Sequence, residues 1–143
     1  MRILAFLLFS VFCSNVHACS CAQTDIIDGY SSSDVVFLGK ITRVKEFVDP
    51  NETLGGRSRK PLMVQEATFS VLESYKGVNS KSFKTRTVIQ GGLCGLSLKH
   101  VKTKYLVYTD RSSDGSYSLS FCSRTKKARQ AKADLLYLRK VDR

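Results

Sequence analysis

Alternating hydrophobic and polar residues predict β-strands along much of the chain. The alternation is clearest in residues 63–75 and 116–122, and a period of two is typical of a half-buried strand. The residues predicted to face inward there are Ala67, Phe69, Val71, Tyr117, Leu119 and Phe121. Segments rich in β-branched and aromatic residues predict three more strands, at residues 34–48, 82–90 and 104–109. Gly39 is expected to bend or bulge the first of them.

The hydrophobic period changes to that of a helix near both ends of the chain. Residues 24–30 predict a short helix with Thr24 as N-cap, ended by the serines at 31–33. After Thr125, one helical stripe with a basic outer face is expected. Its members are Ala128, Ala131, Leu135 and Leu138. Residues 49–61 predict a long irregular loop, and Asp114-Gly115 a hairpin turn.

These elements together predict a mainly β fold. Five antiparallel strands in a chain of this length favour a five-stranded, partly open Greek-key barrel of the OB type. A short N-terminal helix and a C-terminal helix complete the prediction.

The first residues have the pattern of a secretory signal peptide. Arg2 precedes an apolar run that is too short to span a bilayer, and Val16-His17-Ala18 fits a cleavage site. We therefore expect residues 1–18 to be removed and residues 19–143 to form one monomeric, secreted domain, extracellular or periplasmic. Cys19 would then be the mature N-terminus.

Four cysteines remain after this cleavage, namely Cys19, Cys21, Cys94 and Cys122. An even number in an exported chain predicts two disulfides. A Cys19–Cys21 bridge is sterically poor, and the two remaining pairings both tie the N-terminus to distant points of the chain. A four-cysteine zinc site is less favoured, because such sites usually have two CxxC pairs. No cofactor is predicted.

The chain is strongly basic. Its net charge is +11, and the loss of Arg2 with the leader lowers it to +10. Such a charge favours binding to anionic glycans or envelope components, although solubility alone could explain it. The candidate polyanion-binding residues are Arg57, Arg59, Lys60, Lys126 and Lys127. Nucleic acid is not an expected partner, because the aromatic residues alternate as core residues do and the chain is exported.

The motifs of common enzyme classes are absent from the sequence. The mature chain has one histidine, His100, and no HExxH, G-x-S-x-G, P-loop or Rossmann motif. Disulfide formation would leave no thiol nucleophile. Asp110 and Asp114 flank a turn without a second cluster of carboxylates. We therefore expect a protein that is not an enzyme.

Several short segments occur in the same order as in a known family. They are Cys19-Ser20-Cys21 at the predicted mature terminus, Ser33-Asp34-Val35-Val36, Tyr75-Lys76-Gly77, Leu93-Cys94-Gly95, Tyr105-Leu106-Val107 and the Asp114-Gly115 hairpin ending at Cys122. In these the chain resembles the inhibitory N-terminal domain of the tissue inhibitors of metalloproteinases, within the netrin-like domains. It differs in lacking the cysteines of that domain's third disulfide.

The resemblance implies an inhibitor of zinc metalloproteases with bridges Cys19–Cys94 and Cys21–Cys122. It also implies that the α-amine and carbonyl oxygen of Cys19 chelate the protease's zinc, with Ser20 pointing toward the S1′ pocket. The implied contact surface is Cys19, Ser20, Cys21, Leu93, Cys94 and Gly95.

Two alternatives to this function are open from the sequence. A basic netrin-like module could bind anionic glycans or envelope components without inhibiting a protease. A lipoprotein is the other, because Val-His-Ala-Cys loosely fits a lipobox. An acylated Cys19 would have no free amine for zinc.

Overall fold

The computed structural model describes residues 19, 21–22, 24–53, 60–90 and 93–142. The predicted leader, residues 1–18, lies outside them. The elements in chain order are helix α1 (Ile26–Ser32), strands β1 (Val35–Thr53), β2 (Pro61–Lys76), β3 (Ser82–Val88), β4 (Lys104–Arg111), β5 (Tyr117–Ser118) and β6 (Lys126–Lys127), a 3-10 turn (Ala128–Gln130) and helix α2 (Lys132–Val141). Neither α-helix in this part of the chain has the length and apolar character needed to cross a membrane.

The strands form one antiparallel sheet in the order β3-β2-β1-β4-β5, and β6 also pairs with β4. The chain after β5 returns to β3, where the amide of Leu119 donates a 2.8 Å hydrogen bond to Oγ1 of Thr87. This contact nearly closes the sheet into a barrel. The predicted mainly β, OB-like fold with two helices is therefore confirmed, with six strands in the described residues where the sequence predicts five.

The long strand β1 is shared by both halves of the barrel. It pairs with β2 along most of its length and with β4 through residues 35–40. The register with β2 shifts between Leu38 and Gly39, which is the irregularity predicted at Gly39. Such a shift lets one long strand curve around the barrel.

Two hydrophobic clusters cover the two faces of the sheet. The barrel interior contains Val35, Phe37, Ile41, Ala67, Phe69, Val107 and Leu119. The second cluster packs α2 on the outside of β1 and β4, and contains Val36, Leu38, Leu106, Tyr108, Leu135 and Leu138. Because both faces of β4 are covered, residues 105–109 are all buried. The predicted inward positions Ala67, Phe69 and Leu119 are confirmed.

The short N-terminal helix differs from the prediction at both ends. Its N-cap is Asp25 rather than Thr24, and Oδ1 of Asp25 accepts a 2.7 Å hydrogen bond from the amide of Asp28. The helix includes Ser31 and Ser32, the first two of the three serines expected to end it, and its C-cap is the third, Ser33. The hydroxyls of Ser31 and Ser32 donate back to the carbonyl of Asp28 and so remain compatible with a helix.

The predicted loop at 49–61 is shorter in the structure, because β1 extends to Thr53 and β2 begins at Pro61. Asp49, expected in the loop, is a buried residue of β1 and forms an ion pair with Arg86. Local sequence gives no sign of this partner on β3.

The C-terminal part also differs from the prediction. β5 has only two residues, and Phe121, predicted to face inward, is 65% exposed. Lys126 and Lys127 form β6 instead of starting a helix, because they pair with β4. Helix α2 starts only at Lys132. Of the predicted inner stripe, Ala131 (the N-cap of α2), Leu135 and Leu138 are buried, whereas Ala128 lies in the 3-10 turn and is half-buried.

Candidate functional site

Two disulfides fix the N-terminal segment of the described chain. Cys19 is bonded to Cys94 and Cys21 to Cys122, with Cα–Cα distances of 5.7 and 5.2 Å. The cysteine positions alone left two pairings open, and the pairing found here is the one that the family resemblance implies. Two residues separated by one position are thereby attached to points far along the chain.

The two receiving cysteines lie on neighbouring antiparallel segments. The amide of Phe121, next to Cys122, donates a 2.7 Å hydrogen bond to the carbonyl of Cys94. Gly95 and Ser120 form the adjoining β-bridge, and the amide of Leu96 donates to the carbonyl of Leu119 at 2.9 Å. The backbone thus fixes the separation of the two disulfide anchors.

Gly95 allows this segment to lie directly against β3. A Cβ atom at Gly95 would be 1.8 Å from the carbonyl oxygen of Val88 and 2.8 Å from Cγ2 of Thr87. No side chain fits at this distance from a backbone atom. Glycine is therefore required beside Cys94, because the backbone of this segment lies very close to the backbone of β3. Such a close approach is what the sequence predicted at this position.

An ion-pair network connects the N-terminal segment to helix α2. The guanidinium of Arg124 donates to the carbonyl of Thr24 in the N-terminal segment, and to both carboxylate oxygens of Asp134 at 2.9 and 3.0 Å. The Asp134 side chain is only 3% exposed. It also receives hydrogen bonds from Lys126 Nζ (3.0 Å) and the Tyr108 hydroxyl (3.1 Å). The network connects α2 to the chain just after Cys21.

The network also affects the pKa of Tyr108. Burial, and then the negative charge of Asp134, raise the pKa of the Tyr108 phenol well above its usual range. The phenol therefore stays neutral and acts as a hydrogen-bond donor. Sequence reasoning missed Arg124 and Asp134. The available signal was that Asp134 is the only acidic residue between Asp114 and Asp142.

The surface at the N-terminal segment is concave and partly apolar. A cleft of about 610 Å³ is lined by Cys19, Cys21, Ala22, Thr24, Phe121, Cys122, Ser123, Arg124, Thr125 and Lys126. Phe121 borders it with most of its side chain in solvent. Cys19 and Cys21, with Leu93, Cys94 and Gly95, are half-buried, so each keeps some solvent-accessible surface. These residues are therefore accessible at the surface of the folded protein.

Comparison with known families identifies this chain. A family model described as tissue inhibitor of metalloproteinase matches residues 17–133, which is most of the chain. The chain belongs to this family. Comparison with curated proteins finds no match.

Membership of the tissue inhibitor of metalloproteinase family decides the functional class. The family consists of inhibitors rather than enzymes, and its partners are metalloproteinases. The four cysteines of this inhibitor are oxidised, so they supply no thiolates for the zinc site considered from the sequence. No cluster of potential metal ligands occurs among the described residues.

The remaining predicted site residues of the inhibitor have different surroundings. Ser20, Arg57 and Arg59 lie outside the described residues, while Lys60 is exposed. Lys126 forms an ion pair with the buried carboxylate of Asp134, so its positive charge is largely neutralised within the protein. Lys127 is half-buried on β6.

Proposed function

We propose that this inhibitor acts on zinc metalloproteases through Cys19, after removal of residues 1–18 makes it the mature N-terminus. The α-amine and the carbonyl oxygen of Cys19 would together bind the catalytic zinc of the protease. An amine and a carbonyl on one residue close a five-membered chelate ring. The chelate would displace the zinc-bound water, which is the nucleophile of such enzymes.

The observation that carries the proposal is the double attachment of the N-terminal segment. Cys19 is bonded to Cys94, Cys21 is bonded to Cys122, and the hydrogen bond from Phe121 to Cys94 joins the two anchors. A ligand held in this way loses little conformational entropy when it binds. A flexible terminus with the same amine would bind more weakly.

The neighbouring residues would complete the contact. We assign the contact surface to Cys19, Ser20, Cys21, Leu93, Cys94 and Gly95, with Ser20 directed toward the S1′ pocket. The half-buried state of Leu93, Cys94 and Gly95 supports this assignment, because part of each remains accessible beside Cys19.

The proposal requires export and processing. The two disulfides fit an oxidising compartment, and we propose that residues 1–18 act as the signal that delivers the chain there. N-terminal sequencing and mass analysis of the exported protein should find an unmodified Cys19. A retained leader or a lipid on Cys19 would exclude chelation by its amine.

The direct test compares two forms of the mature protein. One begins at Cys19, and the other carries a single additional alanine before it. The first should inhibit the catalytic domain of a zinc metalloprotease, whereas the second should not, because its Cys19 nitrogen is an amide. Equal thermal unfolding and two intact disulfides in both forms provide the control. Equal inhibition by both forms would refute the chelation mechanism.

A further inference from the structure

Two attachments of different kinds join the segment that follows Cys21 to the segment that follows Cys122. The first is the disulfide between these two cysteines. The second lies just beyond it, where Nη1 of Arg124 donates a hydrogen bond to the carbonyl oxygen of Thr24. Thr24 directly precedes Asp25, the N-cap of α1. The chain that leads from the disulfides into α1 is therefore held by Arg124 as well.

The guanidinium of Arg124 is itself held in one orientation. Its Nε and Nη2 donate to the two carboxylate oxygens of Asp134 at 2.9 and 3.0 Å, which leaves Nη1 for Thr24. The side chain of Arg124 is 17% exposed and that of Asp134 is 3% exposed. A planar guanidinium bound through two nitrogens to one carboxylate presents its third nitrogen in a defined direction. Asp134 on α2 therefore orients Arg124, and Arg124 holds the Thr24 carbonyl.

Gly29 of α1 provides the space through which Arg124 reaches Thr24. A Cβ atom at Gly29 would overlap Cδ of Arg124 and would lie 3.0 Å from its Cγ. Gly29 is a buried residue within the helix and does not have a positive φ angle, so its backbone alone would accept alanine. Glycine is the least favourable residue inside a helix apart from proline. Its presence here is explained by the aliphatic part of the Arg124 side chain.

The attachment at Thr24 matters because two points do not fix the orientation of a segment. The disulfides at Cys19 and Cys21 leave rotation about the line that joins the two residues, and each disulfide has rotatable bonds of its own. The hydrogen bond from Arg124 opposes this rotation. A ligand that is already oriented before binding loses less entropy in the complex.

We propose that Arg124 is a positioning residue for protease inhibition. Through Thr24 it sets the direction of the segment that begins at Cys19, and so the direction in which the amine and carbonyl oxygen of Cys19 approach the zinc. This role rests on the chelation proposed above. It requires no contact between Arg124 and the protease.

The test replaces Arg124 by lysine in the mature protein. A lysine ammonium keeps the positive charge beside Asp134 but lacks the planar fork that serves Asp134 and Thr24 at the same time. We expect the inhibition constant against the catalytic domain of a zinc metalloprotease to rise by about tenfold or more. The matched control is Arg139→Lys, because Arg139 also donates two hydrogen bonds to one carboxylate, that of Glu73. This control should inhibit like the parent.

Amide hydrogen exchange gives a second readout that needs no protease. The amide of Gly29 donates to the carbonyl of Asp25 at 3.1 Å in the first turn of α1, directly after Thr24. Release of Thr24 should let this turn open more often, so Gly29 should exchange faster in Arg124→Lys and at the parent rate in Arg139→Lys. A general loss of stability would instead speed exchange in the strands of the barrel as well, which the amides of β4 would report.

Three outcomes would overturn the proposal. They are parent-like inhibition by Arg124→Lys, equal weakening of inhibition by Arg139→Lys, and an unchanged exchange rate of Gly29 in the Arg124 variant. If Arg124→Lys does not fold, Gly29→Ala displaces the Arg124 side chain without changing its charge, in a helix that alanine favours. It is judged by the same criteria, with exchange measured at the amide of position 29.

Failure of this proposal is distinguishable from failure of the chelation mechanism. Equal inhibition by the parent and by its form with an additional alanine before Cys19 would overturn chelation, and this proposal with it. Parent-like inhibition by Arg124→Lys, while the alanine-extended form is inactive, would overturn the positioning role alone.

Discussion

The backbone amide of Phe121 donates a 2.7 Å hydrogen bond to the carbonyl oxygen of Cys94. This bond joins the two segments that receive the N-terminal disulfides, because Cys122 directly follows Phe121. The N-terminal segment is therefore attached to a backbone pair and not to two independent loops. Its rigidity depends on how closely the segment around Cys94 packs on the barrel.

Gly95→Ala tests that packing. The added methyl group would overlap the carbonyl oxygen of Val88, so the segment must move away from β3. We expect the free energy of unfolding to fall by about 1–3 kcal/mol, as for other overpacked positions. Protease inhibition should weaken as well, because Cys94 moves with its neighbour. Urea denaturation and an inhibition assay measure the two effects, and Ser113→Ala in an exposed turn is the control. Unchanged stability would contradict the close approach.

Asp134→Asn tests the buried ion-pair network formed by Asp134, Arg124 and Lys126. The change leaves the half-buried Arg124 and Lys126 cations without their counter-charge. We expect the free energy of unfolding to fall by about 3 kcal/mol, which is the lower end of the range for breaking a buried ion pair. The lower end applies because both cations are partly exposed to solvent. The exposed Asp142→Asn is a matched control and should have little effect. A variant as stable as the parent would show that Asp134 does not hold the network together.

Glu73 should make stability depend on acid pH. Its carboxylate accepts two hydrogen bonds from Arg139, which lower the pKa of Glu73 to about 2 from its usual 4.5. A lowered folded-state pKa stabilises the fold above the unfolded-state pKa, and this stabilisation is lost as the pH falls from 4.5 to about 2. The effect should be modest, because the Glu73 side chain is 35% exposed and solvent screens the pair.

The measurement compares urea midpoints of the parent and Glu73→Gln across this pH range. The parent should be the more stable at neutral pH, and the difference should shrink in acid. Glu66→Gln is a control without a described ion pair. A difference that stays constant down to the lowest pH would assign the effect to packing instead of charge.

The proposed chelation predicts a second pH dependence, this time of inhibition. Zinc binds the neutral amine, and a free α-amine has a pKa of roughly 7.7–8.0. Protons therefore compete with zinc for the Cys19 nitrogen, so inhibition should weaken progressively below that pH. The pH dependence of the protease itself is subtracted with a small inhibitor that has no amine ligand. Inhibition that remains independent of pH after this correction would argue against an amine ligand.

The sequence by itself determined the class of fold and the family. Strict alternation at residues 63–75 predicts a strand face correctly, because the period of side chains along a strand is a local property. The stripe at Ala131, Leu135 and Leu138 predicts the buried face of α2 for the same reason, and the Cys19-Ser20-Cys21 motif leads to the family. The cysteines left two pairings open, since spacing along the chain does not say which segments become neighbours.

Only the tertiary structure decided the features that depend on distant partners. Lys126 and Lys127 are a strand because β4 offers an unpaired edge, although their own sequence favours the helix that follows. Phe121 continues an inward-facing alternation but is exposed, because the ladder ends at Ser118 and the chain turns toward Cys94. Asp134 is buried because Arg124 and Lys126 neutralise it, and its burial cannot be read from a helix with a basic face. Periodicity specifies which side of an element is apolar, whereas charge compensation and edge pairing require residues that meet only after folding.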